Sequence, residues 1–100
     1  MVKHQINLGI QIVPITTANL GYPVIDKCIE LIQSSGITNM VTSFETVLEG
    51  DYYEIMTLVT KINELANTHT NELVVNFRIH TKQSADVRMG DKINKHNSNN

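Results

Sequence analysis

The stretch Thr42-Ser43-Phe44-Glu45-Thr46-Val47-Leu48-Glu49-Gly50-Asp51 decides the fold, because it completes a strand and opens a helix within ten residues. Val47 and Leu48 favour an extended backbone. Glu45 and Glu49 gain little from a pleated surface unless something on that surface attracts negative charge. Two explanations stay open from this pattern: both acids face a cationic ligand, or both are solvated strand residues.

The residues after this stretch predict a long helix. Asp51, with Glu54 three positions later, has the spacing of a helix N-cap and capping box. An apolar stripe of period 3.6 follows, formed by Ile55, Leu58, Val59, Ile62, Leu65 and Ala66. We therefore predict a helix over residues 52–67.

A second helical stripe lies nearer the N-terminus. Its members are Val24, Ile25, Cys28, Ile29 and Ile32. Pro23 has the place of a first-turn proline and Gly36 that of a stop signal, so we predict a helix over residues 23–35. The single cysteine, Cys28, falls on the apolar side of this helix, where a buried thiol is the ordinary explanation.

Alternating apolar and polar residues predict strands at both ends of the domain. The apolar members are Ile6, Leu8, Ile10 and Ile12 in the first strand, and Leu73, Val75, Phe77 and Ile79 in the last. Two short strands over residues 39–44 and 46–50 are predicted between the helices.

The predicted order is strand, helix, strand, strand, helix, strand, which is the split βαβ pattern of a ferredoxin-like fold. Right-handed crossovers place both helices on one face of a four-stranded antiparallel sheet. We therefore predict an α+β, ferredoxin-like βαββαβ domain over residues 1–93. Beyond Lys82 the chain becomes polar, and we expect it to be disordered or ordered only by a partner chain, with residues 94–100 as a disordered tail.

The other face of this sheet is predicted to be uncovered and polar. It would carry Asn7, Gly9, Gln11, Asn76, Arg78 and His80, joined by Glu45, Val47 and Glu49 if Leu48 points at the helices. Such a face is plain solvent surface, a subunit interface or a ligand platform, and the pattern leaves all three open. Gln11 and Asn76 could offer a donor and an acceptor to an aminopyrimidine. Phe44 is either a core residue or the aromatic wall of a groove.

Composition and charge argue against several functions. Eight basic residues against ten acidic ones leave a formal net charge of −2, so we expect no nucleic-acid partner. No apolar run approaches the ~18 residues of a membrane span, and we expect a cytoplasmic protein without a membrane partner. The four histidines are scattered at positions 4, 69, 80 and 96. None has the spacing of a metal site or of a nucleophile with its base, so we expect neither metal nor catalysis.

The quoted residues resemble those of a known family. The segment 44–51 resembles the small thiamine-binding protein family of ferredoxin-like folds. The resemblance includes two earlier elements, the strand that ends Ile10-Gln11-Ile12-Val13-Pro14 and the helix before Gly36. The resemblance covers about residues 6–93, and its specific part is the Glu-Thr-x-x-Glu-Gly element at 45–50. It implies a non-enzymatic protein that binds thiamine or its hydroxymethyl-aminopyrimidine part and assembles into dimers and commonly tetramers. No cofactor other than this ligand is implied.

The resemblance also implies which residues bind the ligand. Glu45 and Thr46 would be site residues on the strand, with Glu49 and Gln11 near them. Phe44 and Asn76 complete the predicted ligand-binding set. The alternative is an effector-sensing or assembly protein that uses the same sheet for a different small ligand.

Overall fold

A computed structural model describes residues 1–97 of the chain, with side chains as far as residue 93. Its elements are β1 (Ile6–Pro14), α1 (Ala18–Ser34), β2 (Thr38–Val41), β3 (Thr46–Gly50), α2 (Tyr52–His69), β4 (Leu73–His80) and α3 (Met89–Asn97). The first six elements form the predicted α+β, ferredoxin-like fold, so that prediction is confirmed.

The sheet is antiparallel throughout, with the strand order β2-β3-β1-β4. Leu8 of β1 lies between Leu48 of β3 and Ile79 of β4. Paired residues share a sheet face, and both leucines are fully buried, so Leu48 points at the helices. Successive side chains alternate between faces, which places Glu45 and Glu49 on the opposite, open face.

The core lies between the sheet and the helices α1 and α2. Its fully buried members include Ile6, Leu8, Ile10, Cys28, Ile32, Leu48, Ile55 and Ile62. Each large aliphatic side chain in this cluster contributes about 1.5–3 kcal/mol by leaving water. Burial also raises the pKa of the Cys28 thiol, which fits the packing role expected from its position on the helical stripe.

Helix α1 begins earlier than the sequence predicted. It starts at Ala18 rather than at residue 23, with Thr17 as N-cap, so Pro23 lies inside the helix. The amide of Gly21 already donates to the carbonyl of Thr17 at 2.9 Å. One helical turn therefore forms before the proline, whose missing N–H removes only one later bond.

Strand β2 is shorter than predicted because the chain reverses at once. It ends at Val41 rather than at residue 44. The amide of Thr42 donates to the carbonyl of Glu45 at 3.0 Å, and its hydroxyl donates to the same carbonyl at 2.6 Å. These bonds close a tight turn whose tip is Ser43 and Phe44.

Helix α2 has the predicted start, where Asp51 accepts from the amide of Glu54 at 3.0 Å.

The polar C-terminal segment folds back onto the domain, which the sequence did not predict. Val87 is 1% exposed, and its amide donates to the carbonyl of Gln5 at 2.9 Å. Helix α3 follows, and it includes residues 94–97 of the predicted tail. Residues 98–100 of that tail lie outside the described residues. Within the described part of the chain, no helix is long and apolar enough to cross a membrane.

Candidate functional site

A groove of about 550 Å³ runs across the middle of the open sheet face. We call it the central groove; it is lined by Gly9, Gln11, Phe44, Glu45, Asn76, Phe77 and Arg78. Two adjacent strands, β1 and β4, form its floor, and the turn between β2 and β3 forms one side. The groove thus contains four of the six predicted ligand-binding residues.

Glu45 lies across the floor of this groove because Gly9 has no side chain. A β-carbon at position 9 would stand 2.5 Å from Oε2 of Glu45 and 2.9 Å from its carboxyl carbon. The glycine therefore leaves the space that the carboxylate occupies. The Glu45 side chain is only 28% exposed as a result, which makes it a partly desolvated negative charge.

Arg78 neutralises this carboxylate from the side of β4. Its Nη2 lies 3.2 Å from Oε1 and 3.3 Å from Oε2 of Glu45. The arginine side chain is 84% exposed, so water screens the ion pair and the pair stabilises the fold little. Such an exposed guanidinium is easily displaced, which leaves Glu45 available to a cationic ligand.

A pair of amides lies beside the carboxylate. Gln11 and Asn76 are direct cross-strand neighbours, and Nδ2 of Asn76 donates to Oε1 of Gln11 at 3.4 Å. This long bond leaves the amide donors of Gln11 and the acceptor of Asn76 free for a ligand. The predicted donor and acceptor pair is therefore built side by side on the open face.

Phe44 stands at the tip of the turn and is 83% exposed. Of its two predicted roles, the core role is wrong, and the ring lines the central groove instead. An aromatic face next to a carboxylate is suited to a planar cation, which the ring and the charge attract together.

The other two predicted site residues lie elsewhere. Thr46 is 5% exposed and is paired with the core residue Ile10, so it faces the helices rather than the groove. Glu49 is on the open face but beyond the groove. Its Oε1 accepts from the amide of Met89 at 2.6 Å and from Nδ2 of Asn7 at 3.2 Å. The carboxylate thus caps the N-terminus of α3, where the helix dipole favours negative charge.

A second groove of about 550 Å³ lies between α3 and the open face. We call it the helix groove. Its apolar lining is Met40, Val47, Ile79, Met89 and Ile93, and its polar lining includes Glu45, Arg78, His80 and Lys92. Sequence reasoning missed this groove because it did not predict α3.

Gly9 and Arg78 were also missed as site residues. The alternation of the strands had placed both on the open face, Gly9 two positions from Gln11 and Arg78 two positions from Asn76, but it did not mark them as ligand-binding residues. Within the part of the chain that the structure describes, no group of three or more His, Cys, Asp or Glu side chains could hold a metal ion.

Comparison with known proteins identifies related sequences. A family model described as thiamine-binding protein matches residues 8–97. A protein of Clostridium perfringens from the group UPF0045 is 29% identical over 90 residues, which is 90% of this chain and 95% of that protein.

Two solved structures share the fold over nearly the whole chain. A domain of unknown function, DUF77, from Bacillus cereus has a TM-score of 0.86 and 27% identity, covering 96% of this chain and 93% of its own. A candidate thiamine biosynthesis/salvage protein of Thermotoga maritima also has a TM-score of 0.86, with 26% identity. That alignment covers 92% of this chain and 98% of the other.

Proposed function

This chain belongs to the thiamine-binding protein family, and we propose that it binds thiamine, or its aminopyrimidine part, in the central groove without transforming it. The observation that carries the proposal is the meeting of a carboxylate, an exposed aromatic ring and an amide pair in one groove. Thiamine has the matching chemistry: a planar ring with a fixed positive charge, joined to an aminopyrimidine.

The charged half of the ligand is assigned to Glu45 and Phe44. A partly desolvated carboxylate stabilises a cation more than one in bulk water does. The ligand would take the position that the exposed guanidinium of Arg78 holds in the free protein. Phe44 would cover the thiazolium ring and gain a cation–π contact that its exposed position now lacks.

The aminopyrimidine half is assigned to Gln11 and Asn76. An aminopyrimidine edge presents an amino donor next to a ring-nitrogen acceptor, and the two amides present the complementary groups. Their mutual bond of 3.4 Å is at the long limit for a hydrogen bond, so exchanging it for ligand contacts costs little.

Binding without catalysis is supported by the separation of the two acids. A general acid and base would need Glu45 and Glu49 to face one substrate. Glu49 instead holds the first amide of α3, and Glu45 is paired with Arg78 in the central groove.

We propose further that the protein is a homo-oligomer, a dimer or a tetramer built from dimers. The support is β4, an edge strand of the four-stranded sheet. Val74, Phe77 and Ile79 on this strand are 45%, 43% and 38% exposed. An edge with unpaired backbone groups and exposed apolar side chains gains from pairing with another copy. Sedimentation equilibrium should show a mass above that of the 11.2 kDa monomer, and a monomer at micromolar concentration would contradict this part.

Calorimetric titration of the full chain tests the binding function. The ligands are thiamine and the free hydroxymethyl-aminopyrimidine, with pyridoxine as a heterocyclic control. We expect saturable binding of the first two and none of the third. Absence of binding for both thiamine and the pyrimidine at high micromolar concentration would contradict the proposal and favour a different small ligand on the same sheet.

A further inference from the structure

The helix groove contains more positive charge than its acids neutralise. Arg78 and Lys92 line it together with one carboxylate, Glu45. The ammonium of Lys92 donates to Nδ1 of His80 at 2.5 Å, a contact that gives the lysine no acidic partner. Within residues 1–93, no carboxylate lies within ion-pair distance of Lys92. The lysine charge is therefore uncompensated at the groove wall.

The two grooves meet at a single ion pair. Gly9, Glu45 and Arg78 line both the central groove and the helix groove. The Glu45–Arg78 contact therefore stands at the boundary of one longer trough. A ligand that extends along this trough must pass this pair and separate its two charges.

Thiamine itself would leave one of these charges without a partner. Its thiazolium would form an ion pair with the carboxylate of Glu45. The guanidinium of Arg78 would then lose the only carboxylate that it contacts among the described residues. A ligand with an added anionic group on the far side of the thiazolium would give Arg78 a new partner. Lys92 would supply a second cation for the same group.

We infer that the trough is built for a phosphate ester of the cationic ligand, such as thiamine monophosphate, with the phosphate in the helix groove between Arg78 and Lys92. The inference rests on the proposed function, because it extends the same ligand from the central groove. One protein ion pair is exchanged for two ligand contacts, a cation on Glu45 and an anion on Arg78. Bidentate pairing of arginine with phosphate oxygens makes such an exchange favourable.

The helix groove also has an apolar part. Val47 on the open face of the sheet and Met89 and Ile93 on α3 belong to its lining. Lys92 is on the same helix, so ligand binding in this groove is linked to α3.

Calorimetry of the full chain with thiamine and thiamine monophosphate tests this inference. For the unmodified protein we expect the monophosphate to bind about tenfold more tightly, the size of one charge-assisted contact. Lys92→Gln should remove most of this preference and leave the thiamine affinity within about twofold. Arg78→Gln should also reduce the preference, because the phosphate then loses its arginine contact.

Lys27→Gln provides the matched control. This lysine is exposed on α1, on the opposite side of the sheet, and its substitution changes the net charge by the same amount. It should leave both affinities unchanged. Equal affinity of the unmodified protein for the two ligands, or a preference that survives both groove substitutions, would overturn the phosphate site alone. Failure to bind either ligand would overturn the proposed function and this inference together.

Discussion

The carboxylate of Glu45 lies over the backbone of Gly9 in a space that a β-carbon at position 9 would fill, 2.5 Å from Oε2. Gly9 is on β1 and Glu45 is in the turn just before the neighbouring strand β3, and the contact holds the acid against the sheet, where Arg78 reaches both of its oxygens. The position of the proposed cation-binding group thus depends on a residue that has no side chain.

Gly9→Ala should weaken thiamine binding without weakening the fold. The added methyl group displaces the flexible end of Glu45, and we expect a loss of about three- to tenfold in affinity by calorimetry. Stability to urea should be unchanged or higher by about 0.4–1 kcal/mol, because alanine restricts the unfolded chain. In a Glu45→Ala background, Gly9→Ala should have no further effect on binding. Additive losses in this double-mutant cycle would show that the two residues act independently.

Glu45→Gln should discriminate between the two halves of the ligand. The substitution keeps the shape of the side chain and removes its charge, so we expect thiamine affinity to fall by roughly five- to a hundredfold, equivalent to about 1–3 kcal/mol. The neutral hydroxymethyl-pyrimidine should change less. Glu64→Gln, at an exposed position on α2, is the control with the same charge change. Equal losses for both ligands would mean that Glu45 holds the pyrimidine by hydrogen bonds instead.

Glu49→Gln should loosen helix α3 and leave the central groove intact. The amide oxygen of glutamine can still accept from Met89, but it lacks the charge that favours the helix N-terminus, so we expect a cost of about 1 kcal/mol in the docking of α3. Amide hydrogen exchange should accelerate at Met89 and its neighbours in the first turn and stay unchanged in β1. A thiamine affinity that falls as far as in Glu45→Gln would contradict the role of cap and restore Glu49 as a ligand residue.

Docking of the C-terminal segment should depend on pH through Asp86. The amide of Gln5 donates to this carboxylate at 2.8 Å and holds its pKa below the ordinary value, and Arg88 and His4 add to the effect. A lowered pKa stabilises the folded form fully above the unfolded value of about 3.9 and loses this effect as pH falls through the native pKa. We therefore expect the NMR signal of the Val87 amide to be unaffected by this group between about pH 5 and 7, and to shift on acidification below about pH 4.

Asp86→Asn is the control for that titration. Asparagine keeps an oxygen that accepts from Gln5 and has no carboxyl group to titrate. Its Val87 signal should show no transition below about pH 4 beyond that of the whole domain. A transition of the same midpoint in the variant would assign the acid sensitivity to another group.

The fold could be predicted because its signals are local and repeated. The stripe from Ile55 to Ala66 has the period of a helix, and the alternation around Leu8 has that of a strand. The same alternation places Leu48 in the core and Glu45 on the open face. The same rule puts Thr46 on the helix side of the sheet, so it could have been excluded from the site. It was included because Glu45 and Thr46 are neighbours in one sequence element. In a pleated strand, however, neighbouring side chains point to opposite faces.

The site depends on contacts that no local pattern contains. Arg78 reaches Glu45 across the intervening strand β1, which requires the register of both strand pairs. Helix α3 has an apolar anchor just before it, Val87, and its capping carboxylate, Glu49, comes from 40 residues earlier in the chain. The contacts that order this segment are far away in the sequence. Its own composition is polar, so by itself it is indistinguishable from a disordered tail.

The central claim is that thiamine binds on the open face of the sheet, at Glu45. The most direct measurement is a two-dimensional NMR titration of the isotope-labelled chain with thiamine, following every assigned backbone amide. The largest shifts should occur at Gly9, Gln11, Phe44, Glu45 and Asn76, with the amides of α1 unchanged. Saturable shifts confined to the helix-covered side, or no shifts at high micromolar thiamine, would contradict the claim.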